Sequence, residues 1–306
     1  MSRLALAVGS LVLLGLAVIP FFVTNYIVTF TIQMFMWIIL AASWNLISGF
    51  TGYVSFGHVA FFGTGAYTAA ILIAKAGWHW VPAGLAGSVT AAALALILGY
   101  PCLRLKGPYF AIAMLGLNEV VRALVSYFEG FTGGGSGISL PPILSIHPVY
   151  YAMGGVALAV VLLTYRIITS RFGLQLISIR EDELAAEVLG INTARLKLYA
   201  FLLSAAFPGI AGGFYAWYAS HIEPVGTFPL LTTITMIIMC LFGGKGTVFG
   251  PVLGATLLSI FQELVWARFL FLHQAMFGAL IVGVVLLMPK GILGLLQERY
   301  RLPRAI

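Results

Sequence analysis

Asn118, Glu119 and Arg122 stand together in the apolar run 108–128, where the i, i+3 spacing brings the Glu119 carboxylate and the Arg122 guanidinium onto one helix face. An ionisable group inside a bilayer costs about 2.5–3.5 kcal/mol on insertion scales, so such groups face a cavity or a partner. Two readings follow. Either these residues line or gate the outer half of a pathway, or the pair stabilises contact with a neighbouring helix. Glu263 and Arg268 are further charged groups in apolar surroundings. Arg268 is placed to snorkel to an interface, whereas Glu263 requires a partner. Catalysis finds little material here. His58, His79, His147, His221 and His273 lie in separate regions without metal-ligand or triad spacing. Cys102 and Cys240 sit inside apolar runs and read as packing residues, not as a disulfide or a metal site. Gly244-Lys245-Gly246-Thr247 imitates the end of a phosphate-binding loop, but Gly246 separates Lys from Thr and apolar spans flank the segment where a strand and a helix would be needed. A tight turn is expected there. Neither a catalytic residue nor a metal set is assigned, and no cofactor is implied for this chain.

The densest polar stretch is 169–197, which holds four of the nine acidic residues, Glu181, Asp182, Glu183 and Glu187. Ser178-Ile179-Arg180-Glu181 fits a capping box, in which the Ser hydroxyl and the Glu carboxylate reciprocally satisfy free amides at a helix start. Glu181, Asp182 and Glu183 would then suit the positive end of that helix. Leu184, Val188 and Leu189 supply an apolar stripe, Ala185 and Ala186 keep one face slim, and Gly190 suits a left-handed helix end. Asn192 or Thr193 can cap the next helix. The expectation is a short helix between two spans, small enough on one face to dock into a groove of another protein. An amphipathic connector lying on the lipid surface is the plainer alternative, and the acidic residues argue against it, because anionic lipids favour Lys and Arg.

The elements that must hold these residues follow from composition. Of 306 residues, 61% are hydrophobic and 8% charged, with a mean hydropathy of +1.05, far from an ordinary soluble domain. At roughly 20 apolar residues per crossing, ten spans are predicted: 4–24, 26–48, 58–74, 81–102, 108–128, 149–168, 198–219, 228–243, 250–271 and 274–289. The whole chain, 1–306, forms one domain, an all-α helix bundle of about ten (8–10) transmembrane helices. The Gly-Pro break between the eighth and ninth runs leaves half-helices as an alternative. The run behind Arg3 resembles a signal peptide, but Ala17-Val18-Ile19-Pro20 offers no small-x-small cleavage site, so a retained helix is expected. Placing 169–197 in the cytoplasm puts thirteen of the sixteen basic residues on that side, all but Lys75, Arg122 and Arg268, with both termini inside. The +7 charge is scattered between apolar runs, so it orients the chain and marks no nucleic-acid patch.

Several glycine segments punctuate the spans. Gly49, Gly52, Phe56, Gly57 and His58 bracket a break before the third run, where a broken helix can present amides to an anionic group while apolar neighbours accept an aliphatic side chain. His58 can bind a solute carboxylate or cap its helix. Gly52-Tyr53-Val54-Ser55-Phe56-Gly57 is faintly echoed by Gly246-Thr247-Val248-Phe249-Gly250, each leading into a small-residue span. Gly133, Gly134 and Gly135 form an outside loop that faces a partner, caps the pathway or is simply flexible. Small-xxx-small spacing in Gly209-Ile210-Ala211-Gly212-Gly213 and Gly250-Pro251-Val252-Leu253-Gly254 permits close helix approach.

Ala185-Ala186-Glu187-Val188-Leu189-Gly190 resembles the Ala-Ala-x-x-x-Gly core of the coupling loop in bacterial ABC importer permeases. The usual preceding Glu is displaced to Glu183, and the closing Pro is represented at best by Pro208. Ser48 through His58, Leu103-Arg104-Leu105-Lys106-Gly107-Pro108-Tyr109-Phe110, Thr132 through Gly137, Gly243 through Thr247 and Gly250-Pro251 resemble, in order, the LivM-type permease subunit of branched-chain amino-acid importers. The resemblance implies a bacterial inner-membrane, alternating-access permease with a LivH-type second permease subunit, two cytoplasmic ATPase subunits that bind ATP and Mg, and a periplasmic solute-binding protein. Under it, Arg180, Glu181, Asp182, Glu183, Ala185, Ala186, Glu187 and Gly190 couple to the ATPase. Gly49, Gly52, Phe56, Gly57, His58, Asn118, Glu119 and Arg122 are pathway or substrate candidates. Branched-chain or other hydrophobic amino acids are the cargo it implies, with urea, short amides and small organic acids open within the same scaffold. An ion-coupled secondary transporter would want a richer set of intramembrane carboxylates than Glu119 and Glu263.

Overall fold

The computed structural model describes residues 18–268 and 291–300, together with Gly15, Gly278 and Gly283. Helix α1 spans Asn25–Trp44 and winds on through a π turn, Asn45–Gly49, before the chain becomes extended to Gly57. Gly52, at φ +81°, makes the reversal that a side chain with a Cβ resists. α2 (His58–Ala76) ends at Gly77 in the left-handed region. α3 (Trp80–Cys102) begins after His79, whose Nδ1 accepts from the Val81 amide at 3.4 Å. α4 (Pro108–Tyr127) and α5 (His147–Ile168) both carry proline in the first turn, where the missing N–H costs nothing. α6 (Arg171–Glu181), α7 (Glu183–Val188) and the 27-residue α8 (Thr193–Ala219) follow. α9 (Leu230–Gly243) and α10 (Gly250–Arg268) form a hairpin, and α11 (Gly291–Tyr300) packs on both.

Seven stretches among the described residues are long and apolar enough to cross a membrane: α1 with its π turn, α2, α3, α4, α5, α8, and Pro224–Gly243, which contains α9. α10 adds a shorter apolar stretch, Gly250–Val265. The protein is a multi-pass, all-α membrane protein. Six expected spans, from 26–48 to 198–219, meet these helices within a few residues, and 228–243 is extended back to Pro224. The Gly-Pro step at 250–251 opens a separate 19-residue helix, α10. Most of span 4–24, with the retained-leader expectation, and nearly all of 274–289 lie outside the described residues.

The centre of the bundle is the crossing of α2, α3 and α8. Lipid tails are as apolar as leucine, so these helices gain little from the hydrophobic effect and depend on close van der Waals packing. Glycines permit it. A Cβ on Gly209 would sit 2.5 Å from the Gly87 carbonyl oxygen and 2.6 Å from the Ala91 Cβ, and one on Gly213 would lie 2.6 Å from the Gly84 Cα. Gly65 and Gly212 meet backbone equally closely, as do Gly243 and Gly254 in the α9–α10 hairpin.

Polar contacts sort the loops onto two ends. Loops 50–57, 103–107 and 244–249 gather with 169–197 at one end, joined by hydrogen bonds from Lys197, Arg180 and Asn45. At the other end, Lys75 donates to the Gly130 carbonyl at 2.7 Å, and β1 (Ile138–Ser139) pairs antiparallel with β2 (His221–Ile222). The glycine loop at that end is held in place: Thr132 donates to the Val125 and Phe128 carbonyls, and a Cβ on Gly137 would run into the Ile222 carbonyl.

Candidate coupling and pathway site

The short helix expected in the polar stretch is present as α7, but its start differs from the expected capping box. Ser178 lies inside α6, where its hydroxyl donates back to the Leu174 carbonyl at 3.0 Å, and Glu181 is the last residue of that helix. Asp182 is the cap: its Oδ1 accepts from the Leu184 and Ala185 amides at 2.9 and 3.0 Å. The capping-box spacing is met by Ser178 and Glu181, yet an apolar face continuing through Leu176 and Ile179, both buried, keeps the backbone helical past Ser178. Gly190 is left-handed at φ +82°, and Asn192 caps α8 by accepting from the Arg195 amide at 3.1 Å. Pro208 is buried within α8, well away from the loop. On α7, Ala186 turns inward while Leu184, Val188 and Leu189 are exposed, Val188 at 88%. This is a knob of apolar surface on a polar end.

α7 is fastened by a buried ion pair that sequence spacing did not show. Lys197 Nζ, on α8, donates to Glu183 Oε1 at 2.6 Å, to the Tyr53 hydroxyl at 2.9 Å and to the Leu103 carbonyl at 3.4 Å. Tyr53 in turn donates to Glu183 Oε2 at 2.6 Å, and the Lys197 ammonium lies 4.4 Å from the Tyr53 ring centroid. Thr193 donates to Glu187 at 2.6 Å, closing the other side of the helix. Burial by itself would raise the Glu183 pKa. Hydrogen bonds from Lys197 and Tyr53, with the charges of Lys197 and Lys106, outweigh it and hold the carboxyl below its ordinary value. Burial and the bond to Glu183 push the Tyr53 hydroxyl up, so it remains a donor. The available signal was Lys197 itself, a cation standing immediately before the apolar run 198–219.

Arg180 does related work at the end of α6. Its Nη1 donates to the Gly49 carbonyl at 3.2 Å, while Nε and Nη2 hold Glu181 at 3.1 and 2.7 Å. Gly52 and Gly246 both lie against this side chain. Asn45, fully buried, accepts from the Gly246 amide and donates to the Thr247 carbonyl, each at 2.8 Å, and its oxygen also receives the Cys240 thiol at 3.5 Å. Arg180 therefore touches the leading glycine of each of the two echoing segments, Gly52 and Gly246, and 244–249 is the tight turn expected.

In the break before α2, the amides of Phe50, Thr51, Tyr53 and Ser55 are satisfied within the segment, which leaves fewer free donors than the broken-helix reading supposed. Gly57 presses on the Met114 carbonyl of α4, and Phe56 is partly buried. His58 is fully buried between Phe61 and Phe201, its Nδ1 2.8 Å from the Ser55 hydroxyl; its side chain does not cap α2, and Nε2 has no partner among the described residues.

Glu119 and Arg122 do meet, at 2.5 Å, with side chains 47% and 42% exposed. Asn118 is buried beside them, its amide nitrogen shared between the Phe228 carbonyl at 3.2 Å and Glu119 Oε1 at 3.4 Å. The three residues form one chain of contacts that runs from the half-exposed Arg122 through Glu119 to the buried Asn118. Glu263 finds its partner in Tyr26, whose hydroxyl donates to it. Arg268 ends α10. Among the described residues, no group of three or more His, Cys, Asp or Glu side chains is arranged to hold a metal ion.

A bundle of apolar helices with a small exposed helix fixed to one polar end has the build of a membrane permease. Residues 26–287 match the family described as the branched-chain amino acid transport system permease component, and the chain belongs to that family. It is 32% identical to the high-affinity branched-chain amino acid transport system permease protein LivM of Salmonella typhimurium, over 92% of this chain and 73% of that protein. The LivM protein of Escherichia coli is equally similar, with the same coverage. The high-affinity branched-chain amino acid transport system permease protein LivH of Escherichia coli is 27% identical over 84% of this chain and 90% of its own length. No solved structure matches the chain.

Proposed function

We propose that this chain is one permease subunit of an ATP-driven importer of branched-chain amino acids, paired with a LivH-type subunit, served by two ATPase subunits and supplied by a solute-binding protein. The observation that carries the reading is α7: an exposed apolar knob, Leu184, Val188 and Leu189, seated on a buried Glu183–Lys197–Tyr53 cluster. An exposed helix that merely connected two spans would have no need of so firm an anchor. Movement of α7 is carried by Glu183 to Lys197 on α8 and to Tyr53 in the break that leads to His58, and by Arg180 to Gly49. ATP and Mg belong to the partner ATPases.

The end bearing α7 is the cytoplasmic one on this reading. Arg104, Lys106, Arg166, Arg171, Arg180, Arg195, Lys197 and Lys245 lie towards it, against Lys75 and Arg122 towards the other, the asymmetry that retention of positive charge in the cytoplasm produces. With the terminal spans added, about ten helices cross the inner membrane and both termini are cytoplasmic. The half-exposed Glu119–Arg122 pair cannot face lipid without a large penalty. On this reading the pair supports an α4 face that lines the pathway where the second permease subunit covers it. LivM and LivH are both permease proteins of the high-affinity system to which their names assign them, which supports a pair of unlike subunits here.

The test is ATP-dependent uptake in proteoliposomes holding the complete assembly, comparing the native chain with Ala185→Arg plus Val188→Arg. Both positions are exposed, so the fold should survive. Leucine or valine uptake that needs ATP and is lost in the double variant supports a coupled importer. Uptake by this chain alone, indifferent to ATP and to the substitutions, overturns it, and preferential uptake of urea or short amides reassigns the cargo.

A further inference from the structure

Five buried side-chain polar atoms have no hydrogen-bond partner among the described residues: His58 Nε2, Tyr67 Oη, Asn118 Oδ1, His147 Nδ1 and Ser259 Oγ. Two of them share a neighbour. The Tyr67 ring, on α2, stacks on Phe228 with centroids 5.9 Å apart and planes inclined by 20°. Asn118, on α4, donates to the carbonyl of the same Phe228 at 3.2 Å. Gly63, one turn before Tyr67, makes room for the Phe228 ring, since a Cβ there would collide with it. Phe228 is thus wedged between α2 and α4, with a free hydroxyl held on one side and a free amide oxygen on the other.

The orientation of the Asn118 amide is settled by chemistry. Its nitrogen lies against two acceptors, the Phe228 carbonyl and Glu119 Oε1 at 3.4 Å, so turning the amide over would set oxygen against oxygen. Oδ1 is therefore an acceptor awaiting a donor. Each buried polar atom left without a partner costs about 1–3 kcal/mol, and packing does not need the Tyr67 hydroxyl: phenylalanine would fill the same space without that cost, whereas the Asn118 nitrogen is used by the Phe228 carbonyl. Tyr67 and Asn118 are 3% and 1% exposed, so bulk water does not relieve them.

We propose that Tyr67 and Asn118, flanking Phe228, form a hydrogen-bonding subsite that takes the ammonium end of a small amphiphile in transit. Asn118 Oδ1 accepts from the ammonium and the Tyr67 hydroxyl serves as a second acceptor, while Glu119, already paired with Arg122, adds no net charge there. The stacked Phe228 ring offers apolar surface to the remainder of the molecule. The site deepens the importer reading and rests on it: an α-amino acid with an aliphatic side chain has this chemistry, whereas urea and organic acids lack an ammonium group. Tyr67 and Asn118 lie midway along α2 and α4, which makes the site a station near the middle of the bundle.

Tyr67→Phe is the decisive variant, because it removes one oxygen that makes no bond to the protein. Uptake of labelled leucine is measured in proteoliposomes of the complete assembly at saturating solute-binding protein, with thermal stability and the amount of assembled complex recorded alongside; Asn118→Leu is the second variant. We expect leucine uptake to fall on the order of tenfold in each, the worth of one charge-assisted hydrogen bond, with Tyr67→Phe as stable as the native protein or more so. Native-like uptake in Tyr67→Phe, with leucine carried by the native assembly, overturns the subsite and leaves the importer reading standing. A native assembly that carries urea or an organic acid and excludes leucine overturns both.

Discussion

Replacing Glu183 by glutamine tests whether the α7 anchor is as strong as its geometry indicates. Glu183 and Lys197 have side chains 15% and 5% exposed and meet at 2.6 Å, with Tyr53 bonded to both. Removing one member of a buried, hydrogen-bonded pair costs about 3–5 kcal/mol, most of it from the charge left behind. Glutamine keeps the size and can still accept from Lys197 or Tyr53, and Lys197 retains the Leu103 carbonyl, so the expected loss is at the low end, about 3 kcal/mol. By the scaling for domains of 150–250 residues, that lowers the unfolding midpoint by roughly 6–12 °C. The assay is thermal unfolding of the purified protein in nanodiscs, run as a cycle with Lys197→Met and the double variant. The double variant leaves no buried charge unpaired, so it should lose less than the two single variants together, with a coupling of about 2 kcal/mol. A cycle additive to within about 0.5 kcal/mol would show that the two side chains do not act as a pair, and the mechanical link drawn through them would fail with it.

The same pair sets a pH dependence. The folded pKa of Glu183 is below its ordinary 4.5, so its contribution is fully present above that value and is lost as pH falls through the lowered one. The unfolding midpoint of the native chain should decline on acidification more steeply than that of Glu183→Gln, and parallel curves would contradict the shift. Gly209→Val should be far more damaging than its size suggests, costing about 3 kcal/mol or more, because the side chain would enter backbone of α3 that cannot step aside; Gly155→Val, where nothing lies within 4 Å, is the matched control, and equal membrane yields for the two would refute the packing account. Glu119→Gln leaves Arg122 unpaired on the α4 face, so recovery of the LivH-type subunit with a tagged chain should fall about tenfold, and Glu119→Gln with Arg122→Met should recover part of it. Unchanged recovery in both would place that face elsewhere.

The bundle was legible because bilayer thickness imposes a length on apolar runs and the chain obeys it from 26–48 to 198–219. The short helix α7 was legible because Gly190 and Asn192 act through their own backbone neighbourhood. The i, i+3 contact of Glu119 with Arg122 is likewise local, and a helix delivers it without help from the rest of the fold. Its start was misplaced for an instructive reason: Ser178-x-x-Glu181 satisfies the capping spacing, but Leu176 and Ile179 bury their side chains and draw Ser178 into α6, leaving Asp182 to cap.

What only the tertiary structure decided are the contacts between residues far apart in the chain. Lys197 meets Tyr53 across 144 positions and Asn45 meets Thr247 across 202, and no local pattern encodes either. The same holds for Asn118, whose bond to its neighbour Glu119 is local but whose bond to Phe228, 110 positions away, no local pattern encodes. Composition and periodicity determine which stretches enter the membrane, since each must satisfy its own backbone there. Which side chains then face one another depends on how the helices cross, and in this protein glycines such as Gly65, Gly87 and Gly209 set that crossing by how closely they let backbones approach.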